Sequence, residues 1–147
     1  MKAIIIIILL FGITLSYDAK AATNYARRYC SSYNSRFYNW SEKGEDAFFV
    51  SQCLVAGGQD FTGCVGRDNY GLIPSVSGLK RCLILKGWKS SSSKPVNFKE
   101  GYPIFAKSSN HIMLATGIRG NNIIYCAHRN DRCDAVLNSK SVEYYYL

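Results

Sequence analysis

The sequence predicts an α+β domain in which helices from the first half pack on a small antiparallel sheet made by the second half. Three observations carry this. Residues 44–58, GEDAFFVSQCLVAGG, are apolar at most positions and bounded by glycines, the pattern of a short helix buried on most sides. From Ile104 onward the hydrophobic period shortens to that of strands. Within that second half, HIMLATGI (111–118) and IIYCAH (123–128) flank Arg119-Gly120-Asn121-Asn122, a hairpin signal centred on Gly120-Asn121. No internal repeat or inter-domain linker interrupts the chain, so one domain is expected.

Taken in order, the chain opens as a secretory leader does. Lys2 supplies the positive end, Ala3 to Leu15 the apolar run, and Ala19-Lys20-Ala21 a small-x-small cleavage signal before Ala22. The reading is a leader over 1–21 and a secreted domain over 22–147. The apolar run is short for a membrane span, and no later run approaches that length, so no transmembrane segment is expected after leader removal. Six cysteines in a small secreted domain, at 30, 53, 64, 82, 126 and 133, read as three disulfides. Cys126 and Cys133, flanking a short loop, are the one specific pair expected. No Cys-x-x-Cys pair occurs, so neither a structural metal nor any cofactor is expected. The net charge of +8 is scattered. That pattern disfavours nucleic acid, which calls for a basic stripe with interleaved aromatics, and suits an anionic cell envelope. Asn39-Trp40-Ser41 has the form of a glycosylation sequon.

Asn24 to Tyr33 reads as an amphipathic helix, with Tyr25, Tyr29 and Tyr33 on one stripe and Arg27, Arg28 and Ser31 opposite. An aromatic loop to Lys43 leads into the central helix. There Gly44 interrupts the preceding chain, Asp46 is the expected N-cap, and Gly57-Gly58 provides the left-handed stop. Gln59 to Val76 is irregular and Gly-rich, a further helix starts near Ser77, and Ser90 to Lys94 reads as a surface turn. Ile104 to Ala106, the two hairpin strands and Val142 to Leu147 are the expected strands.

A two-residue turn at Gly120-Asn121 sets His111 opposite Asn130 and Met113 opposite His128. His111, His128 and Asn130 then share one face of the sheet. An imidazole with a second polar residue on a neighbouring strand is how a general base is oriented in Cys-His-Asn and Cys-His-His sites. The nucleophile of such a site belongs at a helix start, where the macrodipole favours a thiolate.

The residues that bear on family are Tyr25 to Tyr29 (Tyr-Ala-x-x-Tyr), Tyr33-Asn34, the run 44–58, Lys99 to Ile104, His111-Ile112-Met113 and Tyr125 to Arg132. In these motifs the chain resembles the putative amidase domain family, a papain-like group related to NlpC-like cell-wall peptidases and to the cysteine- and histidine-dependent (CHAP) amidohydrolases. The family's helix reads roughly Gly-x-Asp-Cys-x-x-Phe-Val-Ser-Gln-Cys-Leu-x-Ala-Gly-Gly. This chain keeps Asp46, Phe49, Val50, Ser51, Gln52, Cys53, Leu54, Ala56, Gly57 and Gly58. The resemblance implies a papain-like fold with the site between helix start and sheet, His111 as base, and Asn130 or His128 as its orienting partner. It sets the nucleophile at position 47, which here is Ala.

A methyl group cannot attack an amide carbonyl. Cys53 lies about 240° around the helix from Ala47, and Ser51 about 6 Å deeper along its axis, so neither replaces the thiol. The expectation is a secreted, catalytically inactive, monomeric relative of the amidases that binds peptide or peptidoglycan. Two alternatives stand beside it. Were Ala47 an engineered change, the natural chain would be an active cysteine amidase or peptidase cleaving cell-wall peptide bonds. Otherwise the chain is a disulfide-stabilised secreted protein with a vestigial cleft.

Overall fold

The computed structural model describes residues 16–37 and 45–147. Most of the expected leader, the Asn39 sequon and Gly44 lie outside them. Among the described residues three helices pack on one antiparallel sheet, the architecture expected from the sequence.

Helix α1 (Ala19–Tyr29) starts at a polar cap: the Asp18 carboxylate accepts from the Ala21 amide at 3.0 Å, satisfying an amide the helix leaves unpaired. Arg27 and Arg28 sit in its last turn, where cations complement the helix dipole. It begins and ends earlier than the aromatic stripe suggests. The buried face is Ala22, Thr23 and Ala26, small residues that permit close approach, and Tyr33 lies beyond the helix end.

Helix α2 (Asp46–Ala56) is the core element, with every residue from Asp46 to Leu54 buried. Complete burial of Phe49 alone is worth about 2–3 kcal/mol. The stop is as expected: Gly58 adopts φ +92°, which a side chain resists, and its amide bonds the Val55 carbonyl at 2.9 Å. The start differs. Glu45 precedes the helix without a side-chain cap, and Asp46 instead accepts from the Ile112 amide at 3.3 Å, a tie to the sheet. Helix α3 (Val76–Leu85) is capped by Ser75, whose hydroxyl accepts from Gly78 at 3.0 Å.

The strands are β1 (Lys89–Ser91), β2 (Pro103–Ala106), β3 (His111–Arg119), β4 (Asn122–Ala127), β5 (Arg132–Val136) and β6 (Val142–Tyr146), in spatial order β1-β6-β2-β3-β4-β5. The hairpin turns on Gly120-Asn121 as expected, with Arg119 facing Asn122. The expected pairing nevertheless fails further along. A bulge at Thr116 shifts the register, so Leu114 faces Cys126 instead of Ala127, and the predicted His111–Asn130 and Met113–His128 alignment is lost. Thr116 is fixed from two directions: its carbonyl accepts from Arg27 Nη2 at 2.7 Å and its hydroxyl donates to Asp134 at 2.7 Å. Ser90 and Ser91, the first residues of the expected surface turn Ser90–Lys94, belong instead to the edge strand β1 beside β6.

Two disulfides form, Cys30–Cys133 and Cys64–Cys82, while Cys53 and Cys126 are free and buried. This corrects both the expectation of three bridges and the Cys126–Cys133 pair. The Cys126 side chain is wholly buried and its sulfur accepts from the Asp134 amide at 3.4 Å. Cys133 lies on exposed β5 and reaches the end of α1, where its Cα is 5.4 Å from that of Cys30.

Candidate active site

The start of α2 meets the start of β3 through Asp46. Besides the Ile112 amide, its carboxylate has the Arg129 guanidinium at 3.9 Å. Ala47, wholly buried, is the next residue of the helix. His111 opens β3 and is half-buried, with its Nε2 3.1 Å from the carbonyl oxygen of His128. A carbonyl only accepts, so Nε2 carries the proton and Nδ1 of the neutral ring keeps its lone pair. Burial lowers the His111 pKa from its ordinary 6.5 by disfavouring the imidazolium; the Asp46 carboxylate and the carbonyl bond oppose this, while Arg129 adds to it. The geometry leaves a neutral, oriented ring with one unprotonated nitrogen.

His128 has a different environment. Its ring stacks on Phe49 at 3.9 Å between centroids and lies 4.7 Å from the Tyr33 ring. Nε2 donates to the Tyr29 carbonyl at 2.5 Å, and Nδ1 faces Glu45 Oε2 at 3.4 Å. With 2% of its surface exposed, this side chain joins the end of α1 to the start of α2 and offers no edge to solvent. What reaches His111 is its main-chain oxygen. The turn after β4 then passes through Arg129 and Asn130 at φ +63° and +68°. Asn130 is exposed, and its main-chain oxygen accepts from Arg132 at 2.8 Å. The structure therefore brings together the α2 start, His111 and the backbone of His128, and leaves the Asn130 side chain outside that arrangement.

Glu45 and Arg129 are neighbours of the site that the sequence reading did not single out. Helix-start acidity and the run Tyr125 to Arg132 were the signals available for them. Neither nearby nucleophile is free to act. Ser51 donates to the Phe48 carbonyl at 2.9 Å and accepts from the Ile73 amide at 3.3 Å in the interior. The buried Cys53 thiol has its pKa pushed well above the ordinary range by burial. Among the described residues no three His, Cys, Asp or Glu side chains gather as a metal would require. No helix among them is long and apolar enough to cross a membrane. A groove of about 430 Å³ lies beside the Cys64–Cys82 bridge, and a second is lined by Lys80, Arg81, Ile84 and Tyr145; His111 lines neither.

A family model described as a putative amidase domain matches residues 16–102, which hold all three helices and end just before β2. The helix side of the site is inside the matched span and His111 is beyond it. No curated protein and no solved structure matches the chain.

Proposed function

This chain belongs to the putative amidase domain family, and we propose that it is a secreted, catalytically silent member that binds peptide or the stem peptide of peptidoglycan. The observation that carries the reading is Ala47, buried in the first turn of α2 directly after Asp46, whose carboxylate ties the helix start to β3. Covalent amide hydrolysis needs a nucleophile beside the base, and a thiol at a helix start is the form this resemblance implies. Position 47 carries a methyl group while His111 keeps an available lone pair. Direct attack by water would forgo the covalent route, a loss of several orders of magnitude in rate. The papain-like kinship with NlpC-like and CHAP enzymes supplies the ligand class, and the net charge of +8 favours an anionic envelope.

The test uses the purified protein with peptidoglycan and its soluble stem peptides. Sedimentation with the polymer, without release of amine, is expected. Ala47→Cys is expected to create a thiol that reacts with iodoacetamide near neutral pH and to restore measurable amide cleavage. Turnover by the unaltered protein that disappears in His111→Ala would sink the proposal.

A second reading follows from the grooves, which lie on the α3 side. If the cleft at His111 is vestigial and the α3 surface binds, His111→Ala leaves sedimentation unchanged whereas Arg81→Glu weakens it.

A further inference from the structure

We propose that the leader is removed between Ser16 and Tyr17, so that the working chain begins at Tyr17 rather than at Ala22. This rests on the secretory reading above and goes beyond it by naming the bond. The motivating observation is that residues 17–21, which cleavage after Ala21 would discard, are built into the fold.

The Tyr17 hydroxyl donates to the Gly101 carbonyl at 2.6 Å, and its ring packs edge-on against Trp88 at 5.1 Å and beside Tyr102 at 6.3 Å. The Asp18 amide donates to the Gly57 carbonyl at 2.8 Å, and the Asp18 carboxylate is the cap of α1. Ala19 is buried, and its carbonyl accepts from the Thr23 hydroxyl at 3.0 Å.

Two distant glycines are shaped around the same segment. A Cβ at Gly57 would stand 2.5 Å from the Tyr17 ring and 2.8 Å from the Asp18 carbonyl oxygen. A Cβ at Gly101 would stand 2.3 Å from the Ala19 carbonyl oxygen. One of these glycines follows α2 and the other precedes β2, so the segment is seated against two separate parts of the chain. A chain starting at Ala22 would lose the cap, the first helical turn and the aromatic plug together, exposing Trp88 and Tyr102.

The sequence offers a site that spares all of this. Leader peptidases require small residues one and three positions before the cut. Thr14-Leu15-Ser16 meets that rule directly after the apolar run, and Ser16 is exposed and outside regular structure. Ala19-Lys20-Ala21 meets the same rule inside the first turn of α1. The family match also begins at residue 16. In the reaction, water adds across the Ser16–Tyr17 amide, leaving a carboxylate on Ser16 and an ammonium group on Tyr17, with the host's signal peptidase as catalyst.

The experiment is expression of the full chain in a secreting host, followed by N-terminal sequencing and intact mass of the product. The expected first residue is Tyr17. Ser16→Gln is expected to accumulate unprocessed precursor, while Ala21→Gln is processed like the parent. A product starting at Ala22, or processing blocked by Ala21→Gln alone, overturns the inference and leaves secretion standing. Retention of the uncut chain in the cell overturns both.

Discussion

His111 Nε2 and the carbonyl oxygen of His128 stand 3.1 Å apart, and that one bond decides which ring nitrogen of His111 is basic. The orienting partner of the imidazole is thus a backbone atom, held in place because the His128 side chain is anchored between Phe49 and Glu45. The bond survives any side chain at 128 that keeps the turn, but not a change in the turn itself.

The first prediction concerns pH. His111 has a folded pKa below its unfolded value of about 6.5, so the folded state binds the proton less readily than the unfolded one. Its contribution to stability is present in full above about pH 6.5 and is lost as pH falls through the folded value. Urea unfolding from pH 7.5 down to pH 5 is expected to show a shallower acid loss in His111→Gln than in the parent. Equal slopes would remove the claim that this ring is desolvated. Nitrogen-15 chemical shifts at pH 7.5 are expected to report the Nε2–H tautomer.

Chemical and structural histidines are expected to separate in the Ala47→Cys background. Adding His111→Gln should slow thiol alkylation near pH 7 at least about tenfold, because the base that draws off the proton is gone. Adding His128→Gln should leave alkylation within about threefold but lower stability by about 3 kcal/mol, since a buried ring stacked on Phe49 is lost. Stability and alkylation rate are read on the same samples. The reverse pattern would reassign the base.

Thiol counting tests the disulfide pattern. Without reductant, the native protein is expected to give no reaction with Ellman's reagent and two thiols per chain in denaturant, from Cys53 and Cys126. Zero in denaturant would restore the three-bridge reading. Replacing Cys30 and Cys133 together by Ser should cost about 4 kcal/mol, and Cys64 with Cys82 about 3 kcal/mol, following the longer and shorter loops they close.

The two glycines packed on Tyr17–Ala19 should differ in sensitivity. Gly57→Ala meets the Tyr17 ring and the Asp18 carbonyl oxygen, but at a φ of −81° open to any residue, and is expected to cost about 2 kcal/mol. Gly101→Ala meets Ala19 backbone, at φ +87°, and is expected to cost about 3 kcal/mol or more. Equal and negligible effects in thermal melts would mean that residues 17–19 do not occupy that space.

Much of this fold was legible where a segment's own residues decide its structure. The mostly apolar run Ala47 to Ala56, free of charge and Pro, its glycine stop, and the Gly120-Asn121 turn are local signals, and α2 and the β3–β4 hairpin follow them. What escaped is set by partners far along the chain. The bulge at Thr116 depends on Arg27 and Asp134, so the one-residue slip that separates His111 from Asn130 has no local signature. Strand β5 is mostly exposed and contains Asp134 at φ +48°, and β1 is Lys-Ser-Ser; neither presents the apolar alternation by which strands are recognised. The choice of Cys30 for Cys133 spans 103 residues and required the end of α1 to lie beside β5. Asp18 was masked by the leader reading, which assigned it to the discarded segment although it is a good cap residue.

The Cys30–Cys133 bond also closes a loop in the chemical graph of the chain. Ala47, His111 and His128 all lie on that loop, as do α2, α3 and four of the six strands together with their connections. A single protease cut anywhere from Ser31 to Arg132 therefore leaves one covalent molecule, whose mass rises by one water and which separates into pieces only after reduction. Nicked protein would run as intact on a non-reducing gel, and both halves of the candidate site would stay on the same molecule after such a cut.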